Sequence, residues 1–194
     1  MLISIKNLSF SYGEKEVLSH LNLNIRRGER LWIQAPSGFG KTTLLRLICG
    51  LETPTSGEII MEDGLKIVPV FQEDRLLPWR SAAGNIRLVL KGLPKRLAKE
   101  ITEEVLSAVG LQSEGNKLPA MLCGGMARRV ALARAFAAGG DGLLLDEPFV
   151  GLDDEIKKQI AEYINRKYEG KTVIIISHDP EEARLLGAEK ITLS

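Results

Sequence analysis

The chain has 194 residues, enough for one large domain or a domain with a subdomain, and its 44% hydrophobic content can fill a real core. Its 26 basic residues nearly cancel its 25 acidic ones, so net charge gives no support to a nucleic-acid partner. The two cysteines, Cys49 and Cys123, lack metal-like spacing and read as reduced thiols of a cytosolic protein, and no apolar run approaches the ~20 residues of a membrane span. The sequence opens directly on a strand-like pattern, so no signal peptide is visible. Internal repeats and low-complexity segments are absent from it.

Residues 2–10 alternate loosely and predict a strand, closed by a turn at Tyr12-Gly13. Leu21, Leu23 and Ile25 fall at period two and predict a second strand. A turn at Arg26-Arg27-Gly28-Glu29 leads into a third strand, residues 30–34. Next comes Ala35-Pro36-Ser37-Gly38-Phe39-Gly40-Lys41-Thr42-Thr43, then Leu44-Leu45-Arg46-Leu47-Ile48 with helical character. Strand, glycine-bearing loop, Lys-Thr and helix are the parts of a phosphate-binding loop. Gly38 and Gly40 lack the Cβ that would keep backbone N–H groups from curling round a phosphate. The helix starting near Lys41 adds unpaired N–H groups and the positive end of its dipole. Lys41 supplies a point charge for the β- and γ-phosphates, and the Thr42 hydroxyl suits Mg²⁺. Ala35 stands where such loops usually begin with glycine, which predicts some strain in the turn.

The helix is expected to end at Gly50, and short strands follow at residues 58–61 and 66–70. After Gln72 the character changes: residues 85–90 and 97–109 carry helical spacing, Pro94 precedes the second helix and Gly110 ends it, and the helical stretch as a whole is predicted to reach Ala138. Residues 142–145 are an apolar run of the buried parallel-strand kind, followed by Asp146-Glu147-Pro148. Ligands of open α/β sheets bind at that strand edge. Asp146 is therefore placed to hold Mg²⁺ through water, and Glu147 to orient or deprotonate an attacking water. An amphipathic helix over 154–168, a strand over 172–177, a short helix over 180–186 and a last strand over 190–193 complete an alternating α/β pattern, hence a parallel sheet. Leu122-Cys123-Gly124-Gly125-Met126 opens a strong helix, which makes a second anion site at a helix N-terminus.

That last stretch resembles the Leu-Ser-Gly-Gly-Gln signature of ATP-binding cassette (ABC) ATPases, in the variant ending in Met. Its order between the phosphate loop and Asp146-Glu147 also matches, and the resemblance covers essentially the whole chain. It implies a single ABC ATPase domain over 1–194: a P-loop NTPase parallel sheet core, an N-terminal antiparallel β subdomain and an α-helical insertion at about residues 73–138. It implies ATP and Mg²⁺ as cofactors, with residues Ala35, Pro36, Ser37, Gly38, Phe39, Gly40, Lys41, Thr42 and Thr43 around the triphosphate and Thr42, Gln72 and Asp146 on the metal side. Tyr12 resembles the aromatic that stacks on adenine, with Phe10 as the competing candidate. Gln72, in Val-Phe-Gln-Glu-Asp, resembles the glutamine that touches Mg²⁺ and the attacking water. His178 resembles the switch histidine that contacts the γ-phosphate. Gly151-Leu152-Asp153 resembles the loop that crosses between two ATPase domains, and Cys123, Gly124 and Gly125 the signature contacts to the partner's ATP. Cys123 replaces a serine, and a thiol is the weaker hydrogen-bond donor. His20 has no such context and reads as a surface residue.

The resemblance further implies an ATP-sandwich dimer of two such subunits, a membrane permease partner, no nucleic acid, and a cytoplasmic location, peripheral on the membrane. The segment from Gln72 to Trp79 resembles importers of the nitrate, sulfonate, taurine and pyrimidine-precursor group. A DNA-repair or chromosome-structuring ABC ATPase would need a coiled-coil insertion between Lys41 and Asp146, and a translation-type protein a second cassette. A small-molecule kinase would not explain the signature stretch or His178.

Overall fold

The computed structural model describes residues 1–36 and 38–193. In chain order its elements are β1 (Ile3–Tyr12), β2 (Lys15–Ile25), β3 (Arg30–Gln34), α1 (Lys41–Ile48), β4 (Ser56–Met61), β5 (Ile67–Val70), α2 (Ala82–Arg87), α3 (Lys95–Ala108), α4 (Gly124–Ala138), β6 (Gly142–Asp146), α5 (Asp154–Lys167), β7 (Thr172–Ile176), α6 (Pro180–Leu185) and β8 (Glu189–Thr192). Two compact units divide them. One holds Met1–Pro69, Gly140–Asp146 and the chain from Tyr168 onward; the other holds Val70–Gly139 and Glu147–Lys167.

The first unit contains both sheets. β2, β1 and β4 form an antiparallel sheet. The second sheet has the order β5-β6-β7-β3-β8, with β6, β7, β3 and β8 all parallel. Every residue of β6 and β7 is buried. Residues 143–145 and 173–176 are continuous apolar runs because a central parallel strand is covered on both faces. α1 buries Leu44, Leu45, Leu47 and Ile48, and Gly50 lies just beyond it with φ of 66°. The expected pairing of a parallel sheet with an antiparallel β subdomain is what the chain builds.

The second unit is helical. α4 buries Val130, Ala131, Leu132, Ala133, Ala135 and Phe136, so it is apolar on nearly every side, as a central helix must be. α3 buries Thr102, Val105 and Leu106, and α5 buries Ile160, Ala161, Tyr163 and Ile164. Within the helical stretch that reaches Ala138, α3 and α4 are separated, as expected, by a loop after Gly110, and that loop carries one short 3₁₀ turn at Pro119–Met121. Gly110, at φ 66°, stops α3, and Pro119 cannot continue a helix from the residue before it. Leu88–Leu90 is likewise a 3₁₀ turn and not a continuation of α2.

Candidate functional site

In the first unit β3 hands the chain to the glycine loop, and α1 starts at Lys41. Gly38 and Gly40 have φ of 83° and 92°, the left-handed region that residues with a Cβ avoid. At Gly40 a Cβ would also stand 2.5 Å from Val17 Cγ1, well inside contact distance. Ala35 is not among the residues with positive φ, so the strain expected of alanine at that position is not found. Ser37 lies outside the described residues. The first turn of α1 carries no acidic side chain, which leaves its positive end open to an anion. The Lys41 ammonium donates to the carbonyls of Ala35 (2.8 Å) and Pro36 (3.3 Å). The Thr42 hydroxyl donates to Asp146 Oδ2 at 2.7 Å, although 104 residues separate them. Asp146 is 2% exposed at the end of β6. Thr43 is buried, so what it can offer a phosphate is its backbone N–H.

A cleft of about 290 Å³ opens beside the loop, lined by Gln34, Ala35, Pro36, Lys41, His178 and Thr192 among others. His178 is exposed on the turn after β7. The residue before it is held from three sides. The Trp32 indole N–H donates to the Ser177 carbonyl at 3.0 Å, the Ser177 hydroxyl donates to buried Glu182, and the Asp179 N–H donates to that hydroxyl at 3.0 Å. Trp32 is on β3 itself, so the strand that delivers the phosphate loop also fixes the histidine turn.

Phe10 and Tyr12 meet edge to face, centroids 4.8 Å apart. Phe10 is 5% exposed and Tyr12 43%, so of the two competing candidates Tyr12 has a ring to offer a base. His20 is exposed and bonded to Asn7 at 2.8 Å within the antiparallel sheet. Cys49 is half-buried, and burial pushes its thiol up to about 11, out of the reactive range.

In the second unit α4 starts at Gly124, with exposed Cys123 at the N-cap and no side-chain cap bond. Its first turn also lacks acidic residues. α5 is different: Asp153 accepts from the Ile156 N–H at 3.0 Å, and Asp154 and Glu155 follow, so that helix end is already satisfied. A Cβ on Gly125 would stand 2.8 Å from the Gly151 carbonyl oxygen, so the glycine lets the signature turn lie against residues 151–153. Gln72 is exposed; Leu76 and Leu77 are half-buried, and Trp79 is 72% exposed. Glu147 is half-buried and has φ of 48°.

Two arginines of α4 grip this neighbourhood, and sequence reasoning missed both. Arg128, 4% exposed, donates to the carbonyls of Glu147 (2.8 Å), Pro148 (3.1 Å), Phe71 and Gln72 (3.4 Å), and meets Asp74 Oδ1 at 3.3 Å. Arg134 donates to the carbonyls of Asp74 (2.8 Å) and Arg75 (3.0 Å); its burial lowers its pKa, partly offset by the Asp74 charge. The available signal was position: Arg128 and Arg134 interrupt a helix whose other residues are almost all apolar.

A glycine loop between a buried parallel strand and a helix N-terminus, with Lys41 and with Thr42 bonded to a strand-end aspartate, defines a phosphate-loop nucleoside triphosphatase. Similarity to known proteins narrows this class. The ABC transporter family pattern matches residues 18–150. An aliphatic sulfonates import ATP-binding protein of Agrobacterium fabrum is 38% identical over 98% of this chain and 70% of its own length. A taurine import ATP-binding protein of Escherichia coli O157:H7 is 39% identical over the whole of this chain and 80% of its own. The dimeric ATP-binding cassette MJ0796, solved in a post-hydrolysis state with ADP and Pi, is 32% identical, covers 100% of this chain and 94% of its own, and superposes with a TM-score of 0.88. The chain belongs to the ABC transporter family, and it is an ATP-binding, ATP-hydrolysing subunit that powers transport. Among the described residues no helix is long and apolar enough to cross a membrane.

Proposed function

We propose that the chain is the ATPase subunit of an importer for small organic anions of the taurine and sulfonate kind, working as a pair of subunits beneath a membrane permease on the cytoplasmic side. The observation that carries the nucleotide part is the cleft shared by Lys41 and His178, next to the Thr42–Asp146 bond. The names of the relatives support the substrate class, and the dimeric cassette supports the pairing.

Each residue has a role in this reading. Tyr12 stacks on adenine. Gly38, Gly40 and the N–H groups opening α1 wrap the phosphates, while Lys41 exchanges its carbonyl acceptors for phosphate oxygens. Thr42 and Asp146 are hard oxygen donors already within 2.7 Å of each other. Among the described residues no cluster of three metal-binding side chains forms. The Thr42 and Asp146 oxygens suit Mg²⁺, which takes one or two protein ligands and fills its octahedron with water and phosphate oxygens. Bound there, it would neutralise charge on the transferred phosphoryl group. Glu147, next in the chain after Asp146, takes the proton of the attacking water. Gln72 orients that water, and His178 holds the γ-phosphate. Cys123, Gly124 and Gly125 close on the nucleotide held by the second subunit. Exposed Trp79 belongs to the face that meets the permease.

Purification with a permease, followed by ATPase assay in vesicles, tests the proposal. Taurine or an alkanesulfonate, supplied with a binding protein, should raise hydrolysis severalfold, and Lys41→Ala should abolish it. Stimulation by an unrelated solute only, such as a sugar, would overturn the substrate class. Full activity in Lys41→Ala would overturn the nucleotide site.

A further inference from the structure

Arg128 is a buried cation that meets the carboxylate of Asp74 at 3.3 Å. Burying a charge is costly unless its hydrogen bonds are met, and here backbone carbonyls take up much of the guanidinium's capacity. A guanidinium is well matched to such a site. Its five N–H donors in a rigid planar fork can serve several fixed acceptors at once, whereas a lysine ammonium has three on a flexible stem.

The acceptors come from two places in the chain. Phe71 and Gln72 lie just after β5, and Glu147 and Pro148 just after β6. The second pair includes a strained residue. Glu147 has φ of 48°, a conformation unfavourable for a residue with a Cβ, which persists only where neighbours enforce it. Arg128 bonds the carbonyl of Glu147 and that of the following residue, so it holds the backbone on the C-terminal side of the strained φ. Arg134, a turn and a half further along α4, repeats the arrangement at the other place. It bonds the carbonyl of Arg75, whose φ is 45°. Arg128 itself lies one turn into the helix opened by Gly124 and Gly125.

We propose that Arg128 is a positioning residue for hydrolysis. It locks the backbones of Glu147 and Gln72 to the signature helix, so that the carboxylate and the glutamine are aimed together. The inference rests on the proposed role of Glu147 in activating the attacking water. It does not require Arg128 to touch nucleotide, and a misplacement on the order of 1 Å is enough to cost about 100-fold in rate.

The test compares Arg128→Lys, Arg128→Met and Glu147→Gln with the wild type in the purified chain. Steady-state Mg-ATP hydrolysis, equilibrium binding of a non-hydrolysable ATP analogue and thermal unfolding are measured for each. Arg128→Met should lower kcat about 10- to 100-fold and Arg128→Lys by less, with analogue affinity within about twofold of wild type in both. Wild-type kcat in both arginine variants, while Glu147→Gln is inactive, would overturn the inference alone. A fall of kcat and affinity in parallel with the melting temperature would also overturn it, by reducing Arg128 to a packing role. Full turnover in Glu147→Gln would remove the underlying reading. Should Arg128→Met not fold, Arg128→Lys decides by the same criteria.

Discussion

Single residues shape the proposed nucleotide site through what they lack as much as through what they offer. Gly40 has a φ of 92° and no room for a Cβ, which would sit 2.5 Å from Val17 Cγ1. Gly40→Ala must therefore bear a left-handed φ and push back a side chain of β2, at a combined cost of about 2 kcal/mol. Thermal unfolding should fall by about 4–8 °C and ATP affinity at least tenfold; wild-type affinity at an unchanged melting temperature would show that the loop does not need glycine there. The left-handed turn at Gly38 and Gly40 and the helix start at Lys41 were legible in the sequence because the loop is continuous in the chain. The Thr42–Asp146 pair was legible as two motifs, and its bond is the product of folding. Trp32, Glu182, Arg128 and Arg134 were not legible. Trp32, Arg128 and Arg134 act on the backbone of a distant segment and Glu182 on a neighbouring hydroxyl, and nothing local in the sequence says which acceptor a buried donor will find.

At the scale of elements, the joining of α3 to α5 shows how polar groups fix a helix pair. The Tyr163 hydroxyl donates to Glu104 at 2.8 Å, Lys167 meets the same carboxylate at 3.3 Å, and Gln159 donates to the carbonyls that end α3. The Tyr163 bond is the main reason the Glu104 carboxyl sits below its ordinary value, with Lys167 and Arg166 adding to it against partial desolvation. A lowered carboxyl pKa stabilises the fold above the unfolded-state value and stops doing so as pH falls through the folded value. Tyr163→Phe should therefore lower the melting temperature at pH 7 by about 2–4 °C and by less at pH 3.5, since this carboxylate is largely exposed. An equal loss at both pH values would show that the hydroxyl does not act through the Glu104 charge, since the ring that packs 5.1 Å from that of Phe136 is kept in the variant. β6 and β7 could be read from sequence because central parallel strands are unbroken apolar runs. The end of α3 at Gly110 could be read as well, because the left-handed residue after a last helical turn is most often glycine, whereas the 3₁₀ turn at Pro119–Met121 carries no such mark.

For the whole molecule, the proposed pairing of subunits has a direct consequence. If ATP fills most of the interface, the chain should be largely monomeric without nucleotide. Glu147→Gln keeps the shape of the side chain and removes the base, so with Mg-ATP it should elute as a dimer and return to monomer when ATP is withdrawn. Wild type should show the dimer only briefly, and a variant that stays monomeric at saturating ATP would count against the sandwich. The interleaving of the two units bears on a different stage of the protein's life. Both hydrogen-bonded neighbours of β3 lie far downstream of it: β7 begins at Thr172 and β8 at Glu189, while β3 ends at Gln34. During synthesis the strand that carries the phosphate loop leaves the ribosome some 140 residues ahead of its first partner. Its apolar residues stay unpaired through the making of the entire helical unit, the setting in which nascent chains depend on chaperones. The strand that leads into the glycine loop is thus translated well ahead of the strands it pairs with, and its sheet can close only after them.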